Sequence, residues 1–246
     1  MKLILLLCLA AAAPAAPLFQ APGLDVYAVQ SKDMDGDYGE YQVRVDLGAH
    51  SWCFQSNQVG EPAEQEKALA AVRIQDGYAF VPASCGGGNA AKCEGYQVFR
   101  LAGPPAYLGN LTGVWNGTDV VVLDHGRFFD TGDDLEINDL TDHADGPQYQ
   151  TVYTDHQGLR FEPALTWQAN QAHSAEIQGP AGLLYRAGLA KLCGRTAEFR
   201  AGLARAKKAL SPRQWKQFQS SLQAVTFGRT QARAFIPVWH CEKKQP

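Results

Sequence analysis

The chain is predicted to adopt an α+β fold that is mainly β: an antiparallel meander of hairpins followed by a C-terminal helical hairpin. Three observations predict it. Apolar and polar residues alternate through short runs separated by Asp–Gly and Asn–Gly turns. From Gly179 onward the apolar residues fall at helical spacing instead. The charge changes sign at the same place: residues 1–180 contain 9 Lys+Arg and 23 Asp+Glu, whereas residues 181–246 contain 13 and 2. A sandwich, a barrel or a few propeller-like blades would each produce such a meander.

The first residues, MKLILLLCLAAAAPAA, have the form of a secretory signal peptide spanning 1–15. Lys2 supplies the positive n-region, Leu3 to Ala12 the apolar stretch, and Ala13-Pro14-Ala15 a small-x-small cleavage site. No later stretch approaches the roughly 20 apolar residues of a membrane helix. The expectation is therefore a secreted or periplasmic protein without a transmembrane segment, with an acidic β-rich domain at 16–178 and a basic helical tail at 179–246 docked on it. With 46% hydrophobic and 19% charged residues, the chain has the composition of a folded protein and not of a disordered one.

In chain order, Leu24 to Gln30 and Tyr41 to Leu47 alternate as strands do, and Pro62 to Ala71 reads as a short helix with Pro62 at its first position. One pattern then occurs three times. A strand, a turn with Asp and Gly, and an aromatic strand run through Val72–Phe80, Val120–Phe129 and Val152–Phe161. Asp and Gly suit the positive-φ positions of tight hairpin turns. In the tail, Pro180 opens one helix and Thr196 a second. Ser211-Pro212-Arg213-Gln214 forms a capping box, followed by an apolar face of Trp215, Phe218, Leu222 and Val225.

Export makes the cysteines a disulfide question. The short loop CGGGNAAKC predicts a Cys85–Cys93 bridge. Cys193 and Cys241 bracket the helical tail and are the expected second pair, which leaves Cys53 as a free buried thiol. His50, Ser51 and Cys53 also lie close enough in sequence to be considered as a nucleophile and base.

Two acidic stretches are candidate Ca²⁺ sites. Asp33, Asp35 and Asp37 have the alternate spacing by which calcium loops present oxygens, although Arg44 stands where an EF-hand would place its closing Glu. Asp130 to Asp145 holds seven carboxylates, with Asp130, Asp134 and Asp139 the expected ligands, and no Lys or Arg occurs between Arg127 and Arg160. Asp-His occurs at 124–125, 142–143 and 155–156, so a zinc site requires three turns to converge. GxSxG, HExxH and Gly-rich phosphate loops are absent.

These features together lead to an expected non-enzymatic, exported binding or accessory protein. Its partner would be a protein or envelope polymer, with Ca²⁺ in the acidic turns. A secreted hydrolase with paired carboxylates in a cleft is the alternative. Nucleic acid is not the expected partner, because the basic residues of the tail are interleaved with core positions and no aromatic stacking platform is evident.

Overall fold

The computed structural model describes residues 16–33, 38–59, 62–85, 93–112, 121–134, 148–225, 228 and 237–241. The chain is mainly antiparallel sheet with C-terminal helices, as predicted. It opens with a four-stranded meander: β1 (Phe19–Ala21), β2 (Leu24–Asp33), β3 (Tyr38–Leu47) and β4 (His50–Val59). Helix α1 (Pro62–Leu69) follows, then β5 (Arg73–Gln75), β6 (Tyr78–Cys85), β7 (Cys93–Arg100) and β8 (Ala106–Thr112). A parallel contact between β4 and β6, at Asn57 with Ser84 and Gln58 with Cys85, joins these strands into one sheet. A second, four-stranded sheet has the order β12-β11-β10-β9, built from β9 (Val121–Asp124), β10 (Arg127–Asp134), β11 (Gln148–Asp155) and β12 (Leu159–Phe161).

The three expected Asp/Gly hairpins are present as β5–β6, β9–β10 and β11–β12. Their turns contain consecutive positive-φ residues: Asp76 and Gly77, His125 and Gly126, Gln157 and Gly158. In the two-residue turns of the first two hairpins, such dihedrals match the right-handed twist of the flanking strands. Gly77 is constrained twice, because a Cβ there would also sit 2.9 Å from Ala102 Cβ.

Strands β6 and β7 are buried on both faces, and this divides the interior into two cores. Ala79, Val81, Ala83 and Phe99 face the first, with Val26, Val43, Val45, Phe54 and Leu69. Phe80 and Val98 face the second, with Phe128, Tyr153, Phe161 and residues of the helices. The period of two sends neighbouring side chains to opposite faces, so two adjacent apolar residues in a strand require cover on both sides.

Five helices follow β12 in the described residues: α2 (Pro163–Ala169), α3 (Gln171–Glu176), α4 (Gly179–Leu192), α5 (Thr196–Ala209) and α6 (Pro212–Ala224). Helical structure thus begins at Pro163, ahead of the change of period at Gly179. The reason is visible at Asn170. Its amide donates to Gln150 O at 2.8 Å and accepts from Gln150 N at 2.9 Å, while Thr166 Oγ1 accepts from Val152 N. Side chains of and beside α2 therefore complete the ladder of β11 beyond the reach of the three-residue β12. Tyr185 Oη donates to Asn170 Oδ1 at 2.7 Å, and Tyr149 Oη to Tyr185 O, which ties α4 to the same place.

Helix α4 lies at the centre of the second core, with Leu184, Tyr185, Ala187, Leu189 and Leu192 buried. Helix α5 packs closely on it through Gly202, where a Cβ would stand 3.3 Å from Ala187 Cβ. The Ser211–Gln214 capping box opens α6 as predicted, and Phe218 and Leu222 join the core. Lys191 Nζ donates to Leu222 O, a cation on the last carbonyls of α6. No ion pair among the described residues joins α5 or α6 to the strands; apolar burial holds these helices.

The disulfide pattern differs from the expectation. A last strand, β13 (Val238–His240), pairs with β4 and sets Trp239 opposite Cys53. Cys241, two residues beyond Trp239, comes onto the same face and bridges Cys53, with Cα atoms 5.8 Å apart. The expected Cys193–Cys241 pair is not formed, and Cys53 is not free. Among the described residues Cys193 is the free thiol, buried at the C-terminus of α4 in the second core. The error has a physical origin: the chain beyond α6 returns to the N-terminal sheet rather than closing on its own helices. The backbones of β6 and β7 set Cys85 opposite Cys93, whose side chains lie outside the described residues.

Candidate functional site: the strapped face of the N-terminal sheet

The sequence-predicted metal ligands are not brought together among the described residues. Asp33 ends β2 opposite Gly39; its side chain, Asp35 and Asp37 lie outside the described residues. Asp130 is buried in β10, where its carbonyl accepts from Thr151 Oγ1 at 3.0 Å. Asp134 stands opposite Gln148 beyond a register shift, and Asp139 lies outside the described residues. Among the described residues no group of three His, Cys, Asp or Glu could hold a metal. The Asp-His pairs divide. Asp124 and His125 are exposed on the β9–β10 turn, whereas Asp155 turns inward to Arg100, and Asp142 and His143 are not described.

The three hairpins do converge, on a different group of side chains. Arg100 Nη1 reaches both Asp155 oxygens at 3.0 and 2.9 Å, and Tyr78 Oη donates to Asp155 at 3.3 Å. Tyr78 also meets Phe128 edge to face, with centroids 5.0 Å apart, and Gln75 Nε2 donates to Leu123 O. Burial, with the Asp155 charge as the next cause, raises the Tyr78 hydroxyl above the ordinary tyrosine range. Every group here is used to join one sheet to the other, so this cluster is a joint of the fold.

The outward face of β2, β3 and β4 is different in character. The Arg44 guanidinium lies 4.2 Å from the centre of the Tyr27 ring, and its Nε is 3.3 Å from Asp46 Oδ1. Ser51 Oγ donates to the same carboxylate at 2.7 Å. Cys53 comes next on this face, followed across the β4–β13 pairing by Trp239 and Cys241. Trp239 is 42% exposed, although its strand is fixed by a ladder and a covalent bond. Ile74, at 47%, is the other large exposed hydrophobic among the described residues, on β5. These two short strands occupy the edges of β4 and β6 beyond their parallel contact.

On the opposite face, Trp52 is buried and flanked by the exposed rings of His50 and His240, with centroids 5.5 and 5.6 Å away. His50 therefore points away from Ser51 and Cys53, since adjacent strand residues alternate. With Cys53 bridged and Ser51 bound to Asp46, the three neighbours do not form a nucleophile–base grouping. Trp239 was the residue that sequence reasoning did not single out. A signal was present in the paired runs Trp52-Cys53 and Trp239-His240-Cys241, each placing an aromatic beside a cysteine. What the face offers is an exposed indole beside a disulfide and a polar row gathered on the Asp46 carboxylate: a surface for contact, with rigid presentation.

The fold and this face define a disulfide-strapped α+β protein, mainly β, in which no helix among the described residues is long and apolar enough to cross a membrane. Compared with models of protein families, curated proteins and solved structures, the chain finds no match.

Proposed function

We propose that the chain is an exported, non-enzymatic binding or accessory protein that recognises a protein or envelope polymer through the face bearing Trp239. The observation that carries this reading is a large aromatic left 42% exposed on a strand held by both a β-ladder and a disulfide. An indole whose backbone is already ordered loses little conformational freedom on binding, and tryptophan is among the residues most enriched at interface hot spots. Export is supported by the leader-like residues 1–15 and by a bridge of the kind that persists in oxidising compartments. In the same reading, Asp33, Asp35 and Asp37, or the stretch Asp130 to Asp145, take Ca²⁺ weakly as an accessory to binding.

A pull-down from the native envelope tests this, with wild type and Trp239→Ala compared in calcium and in chelator. The expected result is a specific set of captured species that Trp239→Ala loses and that chelator reduces. Equal capture by both proteins would remove this face from the account, and turnover of a captured polymer would replace binding with hydrolysis.

A further inference from the structure

We propose that the exposed faces of α5 and α6 form a docking surface for an anionic lipid bilayer. Six basic residues, Arg200, Arg205, Lys207, Lys208, Arg213 and Lys216, are exposed on these two helices. Gly202 and Ala206 of α5, and Phe218, Ser221 and Leu222 of α6, are the buried positions of the same turns. The sequences of α5 and α6 contain one acidic residue, Glu198, and it is paired with Arg195. None of the six takes part in an ion pair with a described carboxylate.

The charge of one of the six reaches the neighbouring helix α4. Arg186 of α4 is lowered from its ordinary range first by burial and then by the charge of Arg205. Like charges gathered on one surface repel each other, and a layer of phosphate headgroups removes that repulsion on contact.

Three features favour a bilayer over nucleic acid. The charges cover the outer sides of two consecutive helices joined by a two-residue connection, Leu210-Ser211, instead of following a groove. Between them the exposed side chains are uncharged: Ala197, Ala201, Ala204 and Ala209 on α5, and Gln219, Ser220 and Gln223 on α6. The nearby aromatics, Trp215 and Phe218, stack on each other with Phe218 fully buried, so they present no open platform for bases. With no exposed large apolar side chain on these two helices among the described residues, attachment is electrostatic, reversible and sensitive to salt.

The test is sedimentation of the full chain with vesicles of phosphatidylcholine alone or mixed with phosphatidylglycerol, at low and high salt. A fourfold variant, K207Q/K208Q/R213Q/K216Q, is measured beside it, and its melting temperature establishes that it folds. The expected result is binding to the mixed vesicles only, abolished by high salt and weakened at least about tenfold in the variant. Equal binding to both vesicles, an undiminished variant, or no binding at low salt would overturn the proposal; the last would mean that the tail's charges serve to neutralise the chain's own acidic half. Stronger binding to duplex DNA than to mixed vesicles would overturn it as well. The outcome is independent of Trp239, which lies on another element.

Discussion

Cys241 lies 5.8 Å from Cys53, Cα to Cα, across 188 residues of sequence, and the bridge between them returns the end of the chain to the sheet near its start. A loop of this length is at the favourable end of the chain-entropy effect, and loss of a native disulfide typically costs about 2–5 kcal/mol. The double variant Cys53→Ser/Cys241→Ser is expected to lose stability in that range in urea titration. Because β13 has three residues and one neighbour, it should detach first. Trp239 fluorescence should then shift before the global transition, a behaviour absent from the wild type.

Arg100 and Asp155 should couple energetically, because their pairing spans the two sheets and both are largely buried at the contact. Asp155→Ala is expected to cost about 1–3 kcal/mol, since it leaves Arg100 Nη1 and Tyr78 Oη without the carboxylate they donate to. A double-mutant cycle with Arg100→Met should give a coupling of about 1 kcal/mol or more. Strict additivity would mean that the hairpin ends are held by Phe128 and its neighbours alone.

Alkaline pH should destabilise the fold. Burial raises the Tyr107 and Tyr185 hydroxyls well above the tyrosine range, raises Tyr78 in the same direction with help from Asp155, and pushes the Cys193 thiol up to about 12. Each group is an acid whose folded pKa exceeds its unfolded value. The unfolded chain therefore releases protons first as pH rises, and the stabilisation is complete below the unfolded pKa values and lost above them. Stability should fall from about pH 9 upward, beginning with Cys193 and steepening near pH 10 as the tyrosines follow. Denaturation followed at several pH values checks this, and Tyr185→Phe should flatten the loss near pH 10. An unchanged alkaline profile in that variant would place Tyr185 in contact with water.

Local chemistry was legible in the sequence, whereas long-range pairing was not. The turns at Asp76-Gly77 and His125-Gly126 were readable because a positive φ needs particular residues at adjacent positions. The start of α6 was readable for the same reason: Ser211 and Gln214 satisfy each other within one turn. Strand β4 was harder to read, since its outward positions carry Ser51, Cys53 and Gln55 beside aromatic neighbours and show no clean alternation of polarity. The helices α2 and α3 were hidden because they are short and are held by Asn170 and Thr166 bonding to β11, a partnership visible only in the fold. The choice between Cys193 and Cys53 as the partner of Cys241 depended on where β13 docks, which loop spacing does not encode. At the candidate site, the exposure of Trp239 follows from that docking.

The cap that was readable should also be measurable. Ser211→Ala removes the acceptor for Gln214 N and should cost about 1 kcal/mol of stability, while Ser211→Asp should restore most of it. A loss far below this value for Ser211→Ala would mean that α6 is held by Phe218 and Leu222 with no contribution from its first turn.

The strap that holds the C-terminal strand to β4 builds the face on which Trp239 stands. Peptide mapping of the non-reduced protein measures it most directly. The expected result is a cross-linked fragment containing Cys53 and Cys241, with Cys193 recovered as a thiol that reacts only after unfolding, as its burial requires. A fragment linking Cys193 to Cys241, with Cys53 free, would contradict it and would close the tail on its own helices.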